Sequence, residues 1–177
     1  VVAAAVILPA DHGIDGVTDS KALSATRRVQ LADRIVASAT AWCVASATRS
    51  EIDELNILNA THLAMQRAVE GLATAPSLVR VDGNRRPEFA WNRVPLSAEC
   101  LIGGDALDVA IGAASILAKV WRDQHMLNLD AQYPQYGFAR HKGYPTAAHM
   151  AALRAHGPCP EHRRSYKPVR KAMDARR

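Results

Sequence analysis

Two short apolar runs in this chain each end in an aspartate beside glycine. Leu78 to Val81 leads into Asp82-Gly83-Asn84, and Glu99 to Ile102 leads into Gly103-Gly104-Asp105. Both runs read as strands. In α/β sheets, side chains from separate strands converge beyond the strand C-termini, and glycine there lets an ion or a bulky polyanion approach the backbone. Two converging carboxylates suit Mg²⁺ or Mn²⁺, which take oxygen ligands and, for Mg²⁺, keep several waters. With phosphate oxygens completing the shell, such a site supports two-metal hydrolysis of a phosphodiester. Asp-Gly is also ordinary turn chemistry, so each aspartate taken alone has a structural reading as well.

The elements that must hold these acids alternate in type. Val1 to Leu8 reads as a buried strand, ended by Pro9 and a loop with Gly13 and Gly16. Ser24 is placed to cap a helix running through Arg27, Leu31 and Ile35. Ala41 to Thr48 is the next strand. Ser50 followed by Asp53 has the form of a capping box, opening a helix through Ile57, Leu63, Met65 and Val69 that Gly71 and Pro76 close. Val109 to Val120 is almost wholly apolar and rich in small residues, which suits a helix lying close against a sheet. From Tyr133 the chain turns loop-rich, with a short helix at residues 146–156 and a basic tail. Strands alternating with helices give an α/β domain with a helical C-terminal appendage.

Composition narrows the class. The 177 residues are 49% hydrophobic, enough for one domain with a real core. No run of about 18 apolar residues occurs, so no membrane-spanning helix is expected. Cys43, Cys100 and Cys159 form no CxxC pair or zinc-spaced cluster, which reads as reduced thiols in a cytoplasmic protein. The histidines, among them His141, His149, His156 and His162, read as surface or capping residues rather than metal ligands. Residues 1–120 carry 11 Lys/Arg against 13 Asp/Glu, a balance of −2, whereas residues 121–177 carry 11 against 4, a balance of +7. A basic C-terminal third on a near-neutral body points to a polyanionic partner.

The motifs then fall into one series. Asp19-Ser20-Lys21-Ala22-Leu23-Ser24 is followed by Glu51-Ile52-Asp53-Glu54-Leu55-Asn56-Ile57-Leu58 and Met65-Gln66-Arg67-Ala68-Val69. Val81-Asp82-Gly83-Asn84-Arg85, Gly104-Asp105 and Ala113-Ala114-Ser115-Ile116-Leu117-Ala118-Lys119-Val120 come next. Tyr136-Gly137-Phe138, His141-Lys142-Gly143-Tyr144-Pro145-Thr146 and His162-Arg163-Arg164-Ser165-Tyr166 close it. In this order and spacing the set resembles ribonuclease HII (type 2 ribonuclease H), over nearly the whole chain. The resemblance implies an α/β fold, with a ribonuclease H-like mixed sheet flanked by helices over residues 1–130. A helical C-terminal region, residues 131–177, would complete the nucleic-acid groove of the same domain. The implied activity is metal-dependent endonucleolytic cleavage of RNA in RNA–DNA hybrids and at single ribonucleotides embedded in duplex DNA. It would leave 5′-phosphate and 3′-hydroxyl ends and use Mn²⁺ or Mg²⁺. Asp82 matches a metal ligand of the family and Asp105 a second metal-site carboxylate. Tyr144 matches the tyrosine that packs on the sugar beside the ribonucleotide, a contact to which an aromatic ring is suited. Lys21 matches a position near the nucleic-acid backbone. Arg85, Arg86, Lys119 and Lys142 are candidates for phosphate contact. We expect a monomer.

The sequence also departs from the family. Two of its four acids are an adjacent Asp-Glu pair on a first strand, followed by a Gly-Arg-Gly loop that senses the 2′-hydroxyl, and neither is present in these 177 residues. Glu51, Asp53 and Glu54 lie in a capping and helical context and do not substitute. We therefore expect this polypeptide to be a piece of a longer protein and, by itself, inactive or nearly so. We also expect the neighbouring strands to have lost ladder partners, at roughly 1–3 kcal/mol for each buried backbone group left unpaired. Gly103 stands where members often have lysine, and Asp123, one turn after Lys119, reads as its helix ion-pair partner. A competing reading is a catalytically dead module that grips hybrids through Tyr144 and the basic third. An unrelated Mg²⁺-dependent phosphotransfer enzyme is disfavoured by the lack of a Walker-type lysine loop.

Overall fold

A computed structural model describes residues 1–175. The first strand, β1 (Val2–Ile7), returns through helix α1 (Ala25–Ser38) to pair antiparallel with β2 (Ala41–Ser46), from Val2 opposite Ser46 to Ile7 opposite Ala41. Ser24 caps α1 as expected, its side chain accepting the Arg27 N–H, and Leu31, Ala32 and Ile35 are the face it buries. Helix α2 (Arg49–Glu70) starts two residues earlier than Ser50 would place it. Thr48 is its N-cap, and Thr48 and Glu51 exchange side-chain-to-backbone bonds in a full capping box. Asn56, at φ 68°, interrupts the helix. Its side-chain oxygen then accepts the N–H groups of Leu58 and Asn59 and restarts the helix.

Strand β3 (Val79–Asp82) pairs in parallel with β6 (Ala98–Leu101), Asp82 lying opposite Leu101. Between them sits a hairpin absent from the sequence reading, β4 (Phe89–Trp91) and β5 (Val94–Leu96). Asn92 and Arg93 make its two-residue turn with φ of 48° and 67°. That is the primed geometry usually given to Asn-Gly, which is why the sequence hides it. After the short helix α3 (Gly104–Leu107), helix α4 (Val109–Gln132) crosses the molecule. Its Ala113, Ile116 and Leu117 form the main core with Ile14, Leu31 and Ile35.

The strands thus make both antiparallel and parallel pairs, but no ladder among the described residues joins β1 to β3. A cavity of about 630 Å³ lies there instead, walled by β1 and β3 and floored by Ala110, Ala114 and Ala118 of α4. Strand neighbours in a ladder stand about 4.8 Å apart, a pairing that β1 and β3 do not make.

The C-terminal region is helical: a 3₁₀ turn (Pro134–Tyr136), α5 (Phe138–His141), α6 (Ala147–His156) and a further helix the sequence did not suggest, α7 (Lys167–Asp174). Met126 and Leu129 of α4 pack there on Tyr136, Phe138 and Cys159. The acidic group at the head of α2 has structural work: Glu51 pairs with Arg67, and Asp53 accepts the N–H groups of Arg164 and Ser165. That bond ties the tail to the core. One expectation fails outright, since His141, His149 and His162 are not surface residues but are 5–8% exposed. None of the described helices is long and apolar enough to cross a membrane.

Candidate active site

Asp82 is the last residue of β3, and Asp105 stands in the first turn of α3, just beyond the end of the neighbouring parallel strand β6. The two are held at one place by the backbone between them. Asp82 Oδ1 accepts the Gly104 N–H at 2.9 Å, so its carboxylate caps the turn that carries Asp105. Gly104 has no room for a side chain, because a Cβ there would sit 2.7 Å from Ile111 Cδ1. Gly112 serves the same end from α4: a Cβ on it would come within 2.8 Å of the Asp105 carbonyl oxygen and of Val17. Small residues at 104 and 112 therefore let the Asp105 turn settle onto the helix.

Electrostatics mark the spot as crowded with negative charge. Burial, then the charges of Asp82 and Asp19, push the Asp105 carboxyl above its ordinary value, and Lys21 opposes them. The Asp19–Lys21 loop is fixed by its middle residue. Ser20 is 4% exposed, its hydroxyl 2.9 Å from that of Ser115 on α4, and its carbonyl accepts from Arg28 at 2.8 Å. Asp19 Oδ1 accepts the Lys21 N–H. Nothing in the local pattern of that motif marks Asp19, as distinct from Lys21, and only the folded loop brings its charge to Asp105.

The basic candidates separate. Lys21 and Arg85 are exposed at this end of the molecule. Arg86 lies 3.6 Å from Glu88. Lys119 is ion-paired with Asp123 at 2.7 Å, as the i, i+4 spacing suggested, and Asp123 also faces Arg28 at 3.7 Å. A phosphate at Lys119 would have to displace that carboxylate. Lys142 and Tyr144 belong to the C-terminal region, in the loop between α5 and α6. Lys142 is left-handed at φ 50° and its carbonyl accepts from Arg122, whose guanidinium lies 5.5 Å from the Tyr144 ring centroid. Tyr144 is 59% exposed. No hydrogen bond among the described residues joins this loop to Asp82 or Asp105.

Comparison with known proteins decides the family, because the ribonuclease HII family model matches residues 1–169. The chain belongs to the ribonuclease HII family. A protein named ribonuclease HII from Burkholderia thailandensis is 58% identical over 174 residues, covering 98% of this chain and 79% of that one. Another of that name from Bordetella avium is 57% identical over 170 residues, 96% of this chain and 82% of that one. Among solved structures, the ribonuclease H2 of Pyrococcus horikoshii superposes with a TM-score of 0.74 at 24% identity over 90% of this chain and 81% of that one. The ribonuclease HII of Archaeoglobus fulgidus, solved in complex with PCNA, gives 0.62 at 23% identity over 87% and 78%. These structures establish the fold, a ribonuclease H-like α/β domain, and family membership carries metal-dependent ribonuclease H endonuclease function.

Whether the ribonuclease HII residues present here suit a divalent cation follows from their chemistry. Asp82 and Asp105 offer only carboxylate oxygens, the donor type that Mg²⁺ and Mn²⁺ take. Their mutual repulsion, visible in the raised Asp105 value, is what a cation would relieve. The set is short, however: among the described residues no group of three or more His, Cys, Asp or Glu side chains could hold a metal ion.

Proposed function

We propose that this protein is an endoribonuclease that hydrolyses RNA in RNA–DNA hybrids and at ribonucleotides embedded in duplex DNA, leaving 5′-phosphate and 3′-hydroxyl ends. Asp82 and Asp105 would hold Mn²⁺ or Mg²⁺, which supplies charge stabilisation for two-metal hydrolysis of the phosphodiester. The other tasks fall to side chains. Tyr144 lies against a sugar, Lys142, Lys21 and Arg85 meet phosphates, Lys119 meets one only by releasing Asp123, and residues 131–177 form one wall of the groove against the core of residues 1–130. We further place it in the cytoplasm as a monomer, in keeping with three free thiols at Cys43, Cys100 and Cys159. The observation that carries the reading is the Asp82 carboxylate bonded to the backbone beside Asp105 at the ends of two neighbouring parallel strands.

The same reading makes the 177-residue chain a poor nuclease on its own. Two carboxylates are few for a bimetallic centre, and the slot between β1 and β3 leaves strand edges without partners. The test is cleavage of a labelled hybrid with added Mn²⁺, before and after fusing ahead of Val1 a strand that bears an Asp-Glu pair and a Gly-Arg-Gly loop. We expect cleavage only from the fusion, and its loss in Asp82→Asn and Asp105→Asn. Robust cleavage by the 177-residue chain would overturn the inactivity. A fusion that binds hybrids with a steep salt dependence yet never cuts them would establish the alternative, a hybrid-binding module.

A further inference from the structure

Beneath the Tyr144 loop lies a group of imidazoles that the reaction does not use. His149 Nε2 and His162 Nε2 are 3.1 Å apart, and the His141 and His149 rings stack with centroids 4.4 Å apart. The backbone fixes which nitrogen carries each proton. The Cys159 N–H donates to His162 Nδ1 at 3.1 Å, so the neutral ring has its proton on Nε2 and donates to His149 Nε2. His149 must then be protonated on Nδ1, which donates to the Tyr144 carbonyl at 3.0 Å. The proton order runs one way, from Cys159 to Tyr144. His141 is set independently: the Gly143 N–H donates to its Nδ1 at 3.2 Å, leaving Nε2–H to donate to the Tyr136 carbonyl at 2.8 Å.

The loop is gripped on its other side as well. Arg122 of α4 donates to the Lys142 carbonyl at 2.7 Å and lies beside the Tyr144 ring. The Tyr144 N–H donates to the His141 carbonyl, and the Thr146 N–H donates to the Tyr144 carbonyl, both at 2.8 Å. The peptide units around Tyr144 are thus bonded in several directions while its ring projects into solvent.

We propose that His149, backed by His162 and opposed by Arg122, is a positioning residue that holds the Tyr144 backbone so that the ring is presented, already ordered, to a nucleic-acid sugar. This rests on the reading of Tyr144 as a nucleic-acid contact. The physical gain is preorganisation: a ring whose backbone is fixed before binding loses less freedom when it is engaged. A buried relay of this kind is also costly to half-satisfy, since loss of one donor strands the next acceptor away from water. Burial, and then the neighbouring His149, hold the His162 imidazole down at about 4, and burial lowers His149 too. The relay is therefore neutral at physiological pH. The titratable groups around it are His141 on α5, Cys159 with Glu161 in the following loop, and His156 at the edge of Tyr136.

The test is a double-mutant cycle on hybrid affinity, read by fluorescence anisotropy of an end-labelled RNA–DNA duplex and accompanied by thermal melts. Tyr144→Ala should weaken binding about tenfold, in the range of losing one aromatic stack. His149→Leu, which fills the space without a donor, should weaken it about fivefold when Tyr144 is present and not at all in the Tyr144→Ala background. His149→Asn, whose amide nitrogen can reach the Tyr144 carbonyl, should recover most of the loss. Equal weakening by His149→Leu in both backgrounds would reduce His149 to a packing role and overturn the proposal alone. If Tyr144→Ala binds as tightly as the parent, the assignment of Tyr144 as a contact fails, and the inference with it. A ¹H–¹⁵N spectrum gives a second measure that is independent of binding. The proposal requires the Nδ1–H tautomer for His149 and Nε2–H for His162, and any other pair overturns it.

Discussion

The two ends of this molecule handle polar groups in opposite ways. Around Tyr144 three imidazoles, a thiol and several peptide groups are buried and bonded to one another, with Tyr136 donating its hydroxyl to the Gly157 carbonyl at 2.6 Å, although Nη1 of the adjoining Arg122 is buried without a hydrogen-bond partner among the described residues. Around Asp105 three carboxylates of like charge gather, and the repulsion is left standing. A binding surface can be finished by the protein itself, because its ligand adds contacts to a surface already at rest. A cation site cannot, because the acids that will hold the ion repel one another until it arrives. The helical region is thus built for order, and the strand ends for charge.

Acid should separate the two ends most sharply. His162 titrates near 6.5 unfolded and at about 4 folded, so above pH 6.5 it contributes nothing to the pH dependence. Between those values the unfolded chain takes up the proton first, and stability falls with falling pH by about 1.4 kcal/mol per unit, about 3 kcal/mol in all. The lowered His149 acts in the same direction. Asp105 has the opposite sign: its raised folded value means that ionisation costs stability, and the cost disappears as acid protonates it. Chemical denaturation of the parent and of His162→Phe between pH 7 and pH 4 checks this. A parent slope that survives the substitution unchanged would place the acid sensitivity elsewhere.

Next in size is a change that strains the charged end and leaves the helical end alone. Gly112→Val brings a branched side chain against the Asp105 carbonyl and Val17, where even a Cβ would be 2.8 Å away. Overpacking of this kind costs about 1–3 kcal/mol. Because the displaced backbone carries Asp105, Mn²⁺ binding measured by calorimetry should weaken as well, while Tyr144-dependent hybrid binding is unchanged. Loss of hybrid binding in step with Mn²⁺ binding would show that the two ends are mechanically coupled.

What the sequence made legible were features with a local cause. The apolar spacing of Leu31 and Ile35, the Ser24 cap and the aspartates at the ends of apolar runs each needed only a few residues, and each is where the reading placed it. The α2 cap was mislocated by two residues because Thr48 and Ser50 both precede an acid three positions on, and only the backbone entry angle chooses between them. The hairpin at Asn92-Arg93 was hidden because its turn lacks glycine. The histidines were misread for a deeper reason. Whether an imidazole is buried depends on a partner such as His162 for His149, 13 residues away, and no periodicity encodes that pairing. Asp19 is a similar case, contributing charge at a distance and forming no local pattern around Asp105.

The smallest expected effect concerns how the two ends share phosphate contact. Neutralising one phosphate-contacting cation should lower the slope of log K against log salt by about 0.9 for a duplex of B form. Arg85 is exposed at the charged end, so Arg85→Met should approach that value. Lys119 already spends its ammonium on Asp123 at 2.7 Å, in a pair with both side chains about four-fifths buried. Engaging a phosphate would require breaking that pair, so Lys119→Met should change the slope by much less than Arg85→Met. Stability should fall by more than the roughly 0.3–0.5 kcal/mol of an exposed helix pair at this spacing, because Asp123 stays largely buried with only Arg28, among the described residues, at 3.7 Å to face it. The double variant Lys119→Met/Asp123→Leu separates the cases: an unchanged slope makes Lys119 structural, and a fall near 0.9 makes it a phosphate ligand that releases Asp123 when nucleic acid binds.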